Sequence, residues 1–405
     1  GRVGNLCSIC WNYKSNTLGS GGWGNQQAQY GLEQGAGHVG TFYFMTKAWN
    51  PNLTWETSEQ FDLGLDAAFL KDRLEFTADF YNKRTFNLIQ GQTSGWPDSI
   101  GMSAMLINQG EIMNRGIELM AGWNDKIGDW SYFVNGNAAY NKNWVSDIGV
   151  LNSDGTKGVW TGGGSWGSVP SYTHQTKEGE PLNSFYMIKC LGIFQSEEDV
   201  YAHNKDGKLI QPNAVPGDLI FEDYNDDGKI DDKDRQYFGN ATPDWTYALN
   251  FGCSYKNFTF SAMLQGVLGA QTANMGKNQL YNENDVPCNR EIRIFDCWSP
   301  DNRHTDLPRL TMFDNNSNWS TPSTFYLEDA SYLRLKNIIV SYDFTNLIRR
   351  ANHFNSRNSS CSIYFSGENI FTITRYSGMD PECGDLDGLK YPVSRILSLG
   401  IKLTY

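Results

Sequence analysis

Between Phe61 and Phe80 the chain alternates apolar and polar residues with a period of two, on either side of the turn Leu70-Lys71-Asp72-Arg73. That period puts Phe61, Leu63, Leu65, Ala67 and Phe69 on one face of a strand and Asp62 and Asp66 on the other. The returning strand repeats it: Leu74, Phe76, Ala78 and Phe80 share a face, and Asp79 lies opposite. A sheet is one residue thick, so one face seeks hydrocarbon and the other water. Either a soluble antiparallel sheet covers its apolar face with a second layer, or a barrel turns that face to lipid and encloses water. Periodicity alone leaves both open.

The pattern recurs. Gly116–Trp123 and Trp130–Asn137 read as a second hairpin around the turn Asn124–Asp129. Trp245–Tyr255 and Phe258–Leu264 form a third, around Lys256-Asn257. Tyr332–Tyr342 and Ser362–Thr374 are further strands, the first with a phase shift near Asn337 of the kind a bulge produces. The chain closes on the alternating run Ser394–Tyr405. About twelve strands are expected, Ser184–Phe194 being also β-rich, with no amphipathic helix of any length. The fold class is all-β and antiparallel. Turns within hairpins are short, whereas polar stretches of about 91–108, 149–180, 196–236 and 272–325 separate them. Short turns at one end and long loops at the other suit an outer-membrane barrel. Trp55, Trp123, Trp130, Tyr140, Trp245 and Tyr255 are candidates for its aromatic girdles; ordinary sandwich core is the alternative.

A formal net charge of −12 over 405 residues argues against a nucleic-acid surface, which needs basic stripes. No apolar run reaches the roughly 18 residues of a membrane-spanning helix, a scan that spanning strands escape. The opening Gly1-Arg2-Val3 has neither Met nor a signal peptide, so the true N-terminus is expected to lie elsewhere. Cys7 and Cys10 lack a second pair at zinc-ribbon spacing, and Cys288 and Cys297 share one loop region in which a bridge is feasible. Glycine patterns at Gly19/Gly21/Gly24 and Gly162/Gly164/Gly167 neither follow a strand nor open a helix, so they are not nucleotide sites. Gly163-Gly164-Ser165-Trp166-Gly167 lacks the strand-to-helix turn of a nucleophile elbow. The five histidines are isolated and no acid/base couple stands out, so an enzyme is not expected.

The strongest local signal runs from Asp223 to Asp234. Oxygen-bearing side chains fall at loop positions 1, 3, 5, 9 and 12, as Asp223, Asn225, Asp227, Asp231 and Asp234. Gly228 occupies position 6, and Lys229 at position 7 offers its carbonyl. Calcium takes six to eight hard oxygens and the glycine permits the sharp turn between them. The spacing predicts a structural calcium site that stiffens a loop. Asp234 replaces the usual Glu, which shortens the last ligand, and no helices flank the loop; the bland alternative is an acidic solvated turn.

Several stretches together resemble the SusC/RagA family of TonB-dependent outer-membrane transporters. They are Asn50–Thr57, Asn108–Glu111 with Asn114–Glu118, Ser184–Tyr186 with Gly192–Gln195, and Gly217-Asp218 followed by the Asp223–Asp234 loop. Gly239–Pro243, Gln265-Gly266, Ser331–Asn337, Gly367–Thr372 and Tyr391-Pro392 complete them in family order. The resemblance implies the C-terminal part of a roughly 22-stranded antiparallel transmembrane β-barrel, with the plug and TonB box lying outside this chain. About a dozen strands left open in hydrocarbon would expose two unpaired edges, so a fragment is expected. Tyr405 resembles the family's terminal assembly signal.

What the resemblance implies is energised import of a bulky nutrient, oligosaccharide or peptide, across the bacterial outer membrane. The implied partners are a SusD-like surface lipoprotein, TonB through the plug, and outer-membrane lipid. Asp62, Asp66, Asp79, Glu118, Asn135 and Asn137 are the candidates to line the lumen, with general hydration the simpler role for each. The competing reading is a secreted soluble β-protein that binds glycans and carries a dockerin-like calcium loop.

Overall fold

A computed structural model describes residues 50–91, 106–152, 155–162, 173–283, 289–350 and 360–404. Nine long strands form one sheet: β1 (Thr57–Phe69), β2 (Leu74–Phe86), β3 (Glu111–Ile127), β4 (Trp130–Asp147), β5 (Trp245–Tyr255), β6 (Phe258–Leu268), β7 (Tyr332–Asp343), β8 (Ser360–Thr374) and β9 (Ile396–Thr404). They pair strictly in chain order, and every pair from β4 to β9 is antiparallel. The three expected hairpins are present. β3 continues to Ile127, however, and tightens the second turn to Gly128-Asp129, where Gly128 takes the left-handed φ of 61°. The phase shift near Asn337 is a bulge: Met263 faces Asn337 and Leu264 faces Leu335, which leaves Lys336 as the extra residue.

Two expectations change. Ser184–Ile188 and Cys190–Ile193 are not wall strands. They pair with the short strands Arg235–Tyr237 and Leu219–Phe221, so one connection runs from 148 to 244. The reason is burial on both faces, since Phe185 and Met187 are shielded along with Ser184 and Ile188. The long connections also contain short helices, Glu197–Ala202 and Gly276–Tyr281, and Thr345–Arg350 follows β7. Cys297 is buried and free, whereas Cys288, Cys7, Cys10, the serine pattern at 163–167 and Tyr405 lie outside the described residues.

The chain divides into two compact units. One comprises Gly1–Glu59, Arg84–Ile112 and Ser146–Val159; the other comprises Gln60–Lys83, Met113–Val145 and Trp160–Tyr405. In the first, Asn108 joins separated segments. Its carboxamide accepts from Thr54 N at 2.7 Å and donates to the carbonyls of Thr54 and Asn87 at 2.8 and 2.9 Å. Leu53, Leu88, Ile148 and Val150 are buried there.

In the second unit the hydrophobic core is not under the sheet. It lies among the connections, where Phe185, Met187, Met275, Leu307, Trp319 and Tyr326 are buried together. The apolar face of the sheet stays exposed: Leu249, Val340, Phe365 and Phe371 on inner strands, and Leu399 on β9 at 75%. No second sheet layer covers it among the described residues. Soluble monomers rarely expose contiguous apolar patches above a few hundred Å².

Cross-strand aromatic rings over glycines hold the register. Phe133 faces Gly252, Tyr247 faces Gly266 and Tyr364 faces Gly400 as direct partners, each ring occupying the space of the absent side chain. A Cβ at Gly252 would stand 2.7 Å from the Phe133 ring and 2.6 Å from the Phe260 carbonyl oxygen. Gly252→Val is therefore expected to cost about 1–3 kcal/mol by overpacking. The temperature at which the full-length protein loses its compact migration in unheated SDS gels should fall. Gly128→Asn, at a left-handed turn with nothing within 4 Å, should leave it unchanged.

Candidate functional site

The polar face of the sheet is continuous. One row across it reads Asn135, Asn250, Met263, Asn337 and Glu368, and the next reads Asn137, Ala248, Gln265, Arg334 and Thr372. The structure places the six residues singled out from sequence on this face. Asp79 packs over Gly64, whose strand neighbours on that face are Asp62 and Asp66. Thr77 donates to Asp66 at 2.7 Å and Gln60 donates to Asp62 at 2.8 Å. Gly122 approaches the Asn135 carboxamide, which puts Glu118, four residues earlier on β3, on the side of Asn135 and Asn137. Asp62 and Asp66 thus take an amide and a hydroxyl partner, and no ion pair engages these acids among the described residues.

Arg334 is the exception on that face, for it is only 2% exposed. Its guanidinium donates to Thr372 Oγ1 at 2.8 Å and to Asp380 at 2.7 Å, and it also binds Glu382. Asp380 further accepts from the backbone N–H of Glu382 and Val393, at 3.0 and 2.9 Å. Burial opposes charge on Asp380, but these N–H groups and Arg334 hold its carboxyl below the ordinary value. The connection between β8 and β9 is thereby strapped across the polar face at β7 and β8.

Two more buried ion clusters organise the connections. Asp218, fully buried, accepts from Arg309 Nε at 2.7 Å, Asn318 Nδ2 at 2.9 Å and Val215 N at 2.9 Å. Around it Gln211, Asn316 and Asn318 supply side-chain hydrogen bonds to the backbone of Leu219 and Phe221. Glu328 meets Lys277 at 2.8 Å, and Lys277 also donates to the Phe325 carbonyl and lies over its ring. Burial raises the Glu328 pKa, yet Lys277 and Ser377 more than offset it, so the carboxyl titrates lower than usual. His174 is buried with its Nδ1 against Thr173 Oγ1 at 2.9 Å, and burial pushes its pKa down. Nothing within Gly217-Asp218 or Ser331–Asn337 signals these roles in the sequence, because each partner lies tens of residues away.

In the Asp223–Asp234 loop the oxygens converge on their own backbone. Asp223 accepts from Asp227 N at 3.0 Å and Gly228 N at 2.7 Å. Asn225 accepts from Asp227 N at 2.9 Å, and Asp227 from Lys229 N at 3.3 Å. Asp231 accepts from Lys233 N at 2.8 Å, and buried Asp234 accepts from Tyr224, Asn225 and Asp231. The Lys229 ammonium rests on Asp231, 3.9 Å from Asp227. No three His, Cys, Asp or Glu side chains gather as metal ligands among the described residues. The donors themselves suit a hard cation, since a carboxylate oxygen that accepts one N–H keeps a second lone pair.

Residues 15–370 match the family model described as TonB dependent receptor-like, beta-barrel. The chain belongs to this family. It is a family of receptors and transporters, not an enzyme class. The chain is 28% identical over 88% of its length to TonB-dependent receptor P3 of Formosa agariphila, covering 35% of that protein. It is 25% identical over 94% of its length to TonB-dependent receptor SusC of Bacteroides thetaiotaomicron, again covering 35%. Among solved structures, the RagAB peptide transporter superposes with a TM-score of 0.70 at 22% identity, over 97% of this chain and 38% of that one. At that identity the likeness speaks for the fold. The chain thus spans about a third of the length of the curated receptors it matches.

Asp218→Ala would strip the buried partner from Arg309 and Asn318, and removing one member of a buried pair costs about 3–5 kcal/mol. New proteolytic cuts are expected within 210–220 and 309–320 of the folded full-length protein. An unchanged digestion pattern would refute this role.

Proposed function

We propose that this chain supplies wall and extracellular loops to an outer-membrane transporter that imports a bulky nutrient, an oligosaccharide or a peptide. A SusD-like lipoprotein would present the nutrient, and TonB would drive import through the plug that family members carry. The observation that carries this reading is the bounded apolar band. Trp130 stacks on Tyr255 at 4.4 Å and Phe258 meets Tyr342 at 4.7 Å, while Tyr140 meets Trp245 at 5.0 Å further along β4 and β5. From Tyr255 to Trp245 is ten steps of about 3.3 Å, and a strand tilt of roughly 40° turns that into about 25 Å of height. That is the height of the lipid-facing band between aromatic girdles in such barrels. The opposite face, with Asp62, Asp66, Asp79, Glu118, Asn135 and Asn137, would then line the lumen.

Fractionation and uptake test the reading. The full-length protein should require detergent for extraction from outer membranes and should support TonB-dependent uptake of oligosaccharides or of peptides. If it remains soluble without detergent, the transporter reading fails and the secreted glycan-binding reading takes its place.

The Asp223–Asp234 loop is proposed as a structural calcium site. Asp223, Asn225, Asp227, Asp231 and Asp234 would supply side-chain oxygens and Lys229 its carbonyl, once its ammonium swings away from Asp231. Calorimetry should show binding at about 10⁻⁴–10⁻³ M Ca²⁺, in the range of extracellular modules. Asp223→Asn with Asp227→Asn should abolish it, and no heat at millimolar Ca²⁺ in the native protein would remove the site.

A further inference from the structure

We propose that the short-turn rim of the wall binds the phosphodiester headgroup of a glycerophospholipid. The site is a cavity of about 510 Å³ bounded by the Leu70–Arg73 turn and by the adjoining ends of β3, β4, β5 and β6. This inference rests on the outer-membrane reading.

Three cations line that cavity, Lys71, Arg73 and Lys126, against two carboxylates, Asp72 and Asp125. Asp125 is already engaged. It accepts from Arg73 at 3.4 Å, from the Tyr132 hydroxyl at 3.5 Å and from Lys126 N at 2.8 Å. The Lys71 and Lys126 ammonium groups have no ion-pair partner among the described residues, and both side chains are exposed. The cavity therefore offers two uncommitted positive charges beside a guanidinium with unused donors, a set that matches the oxygens of a monoanionic phosphodiester.

The surroundings point to lipid as the source of that phosphate. Leu70, Ile127, Trp130 and Phe258 are exposed at this rim, and the stacked pair Trp130 and Tyr255 marks the level at which the apolar band ends. Lys256 lies 5.1 Å over the Tyr255 ring at the same level. Basic and apolar side chains interleaved at one depth are what a headgroup layer selects. The turn is also unusual in its backbone. Leu70, Lys71 and Asp72 are three successive non-glycine residues with φ of 56°, 62° and 63°. Such conformations persist where the surroundings fix them, and this one holds Lys71 at the apex beside the cavity.

Native mass spectrometry of the full-length protein released from detergent micelles tests the site. The probes are phosphatidylglycerol, diacylglycerol and inorganic phosphate. Phosphatidylglycerol should be retained in preference to diacylglycerol, which lacks the phosphodiester, and millimolar inorganic phosphate should not displace it. Lys71→Gln with Lys126→Gln should weaken retention by about fivefold for each cation removed. Compact migration in unheated gels shows that the variant barrel has folded; if the pair does not fold, each single variant is read instead. Equal retention of diacylglycerol, unchanged retention by the variants, or displacement by inorganic phosphate would each overturn the headgroup site. A detergent-dependent barrel without lipid preference sinks this inference alone. A protein that stays soluble without detergent sinks the membrane reading and this site with it.

Discussion

The backbone ladder of a sheet one residue thick is the constraint from which the rest of this molecule follows. Nine strands paired in chain order satisfy the N–H and C=O groups between them without any second layer, leaving the outer edges of β1 and β9 to further pairing. Such a wall has no interior in which to bury side chains. Leu249, Val340, Phe365 and Phe371 therefore remain exposed on one face, and the amides and carboxylates of the opposite face remain hydrated. Specificity of pairing has to come from the faces themselves. The rings of Phe133, Tyr247 and Tyr364 over their partner glycines supply it, because a slip by one residue would put each ring against a neighbour that has a side chain.

Burial then has to occur elsewhere, and it occurs in the connections. The cluster around Phe185, Trp319 and Tyr326 is an ordinary close-packed core built from the β-rich stretch at 184–194 and from segments beside it that carry no wall-type alternation. Its polar contacts are long-range and charged: Asp218 with Arg309, Glu328 with Lys277, Arg334 with Asp380. Pairs of this kind gain little net stability over an apolar replacement, but leaving either partner alone is costly. They act as registration pins, since each fixes a connection against a segment tens of residues away in the chain.

This division explains what was legible in the sequence. The wall hairpins were readable because their turns are local and their alternation runs for many residues, as at Phe61–Phe80 and Trp245–Leu268. Even the bulge near Asn337 showed as a change of phase. The strands of the connections, such as Leu219–Phe221 and Arg235–Tyr237, are too short for any period to emerge. Ser184–Ile188 was visible as β-rich but went to the wrong sheet, because a strand buried on both faces loses the alternation that would have assigned it. The polar face was legible residue by residue, whereas Arg334 on that face was not. Nothing local to Ser331–Asn337 reveals that Asp380 and Glu382 fold back onto it.

The calcium-type loop illustrates the remaining gap between pattern and geometry. Spacing singles out six positions as a candidate set of hard-oxygen donors, yet spacing says nothing of the counter-charge the chain carries within itself. Lys229, counted for its carbonyl, brings an ammonium onto Asp231 and close to Asp227. A loop with five acidic or amide side chains at the candidate ligand positions that also supplies its own cation holds its turn through Asp234 and the glycine at 228, with φ of 87°. An external ion would then compete with an internal one rather than fill an open cage. The affinity of the proposed site would be set by the difference between two occupied states, at the weak end of the range its donor count suggests.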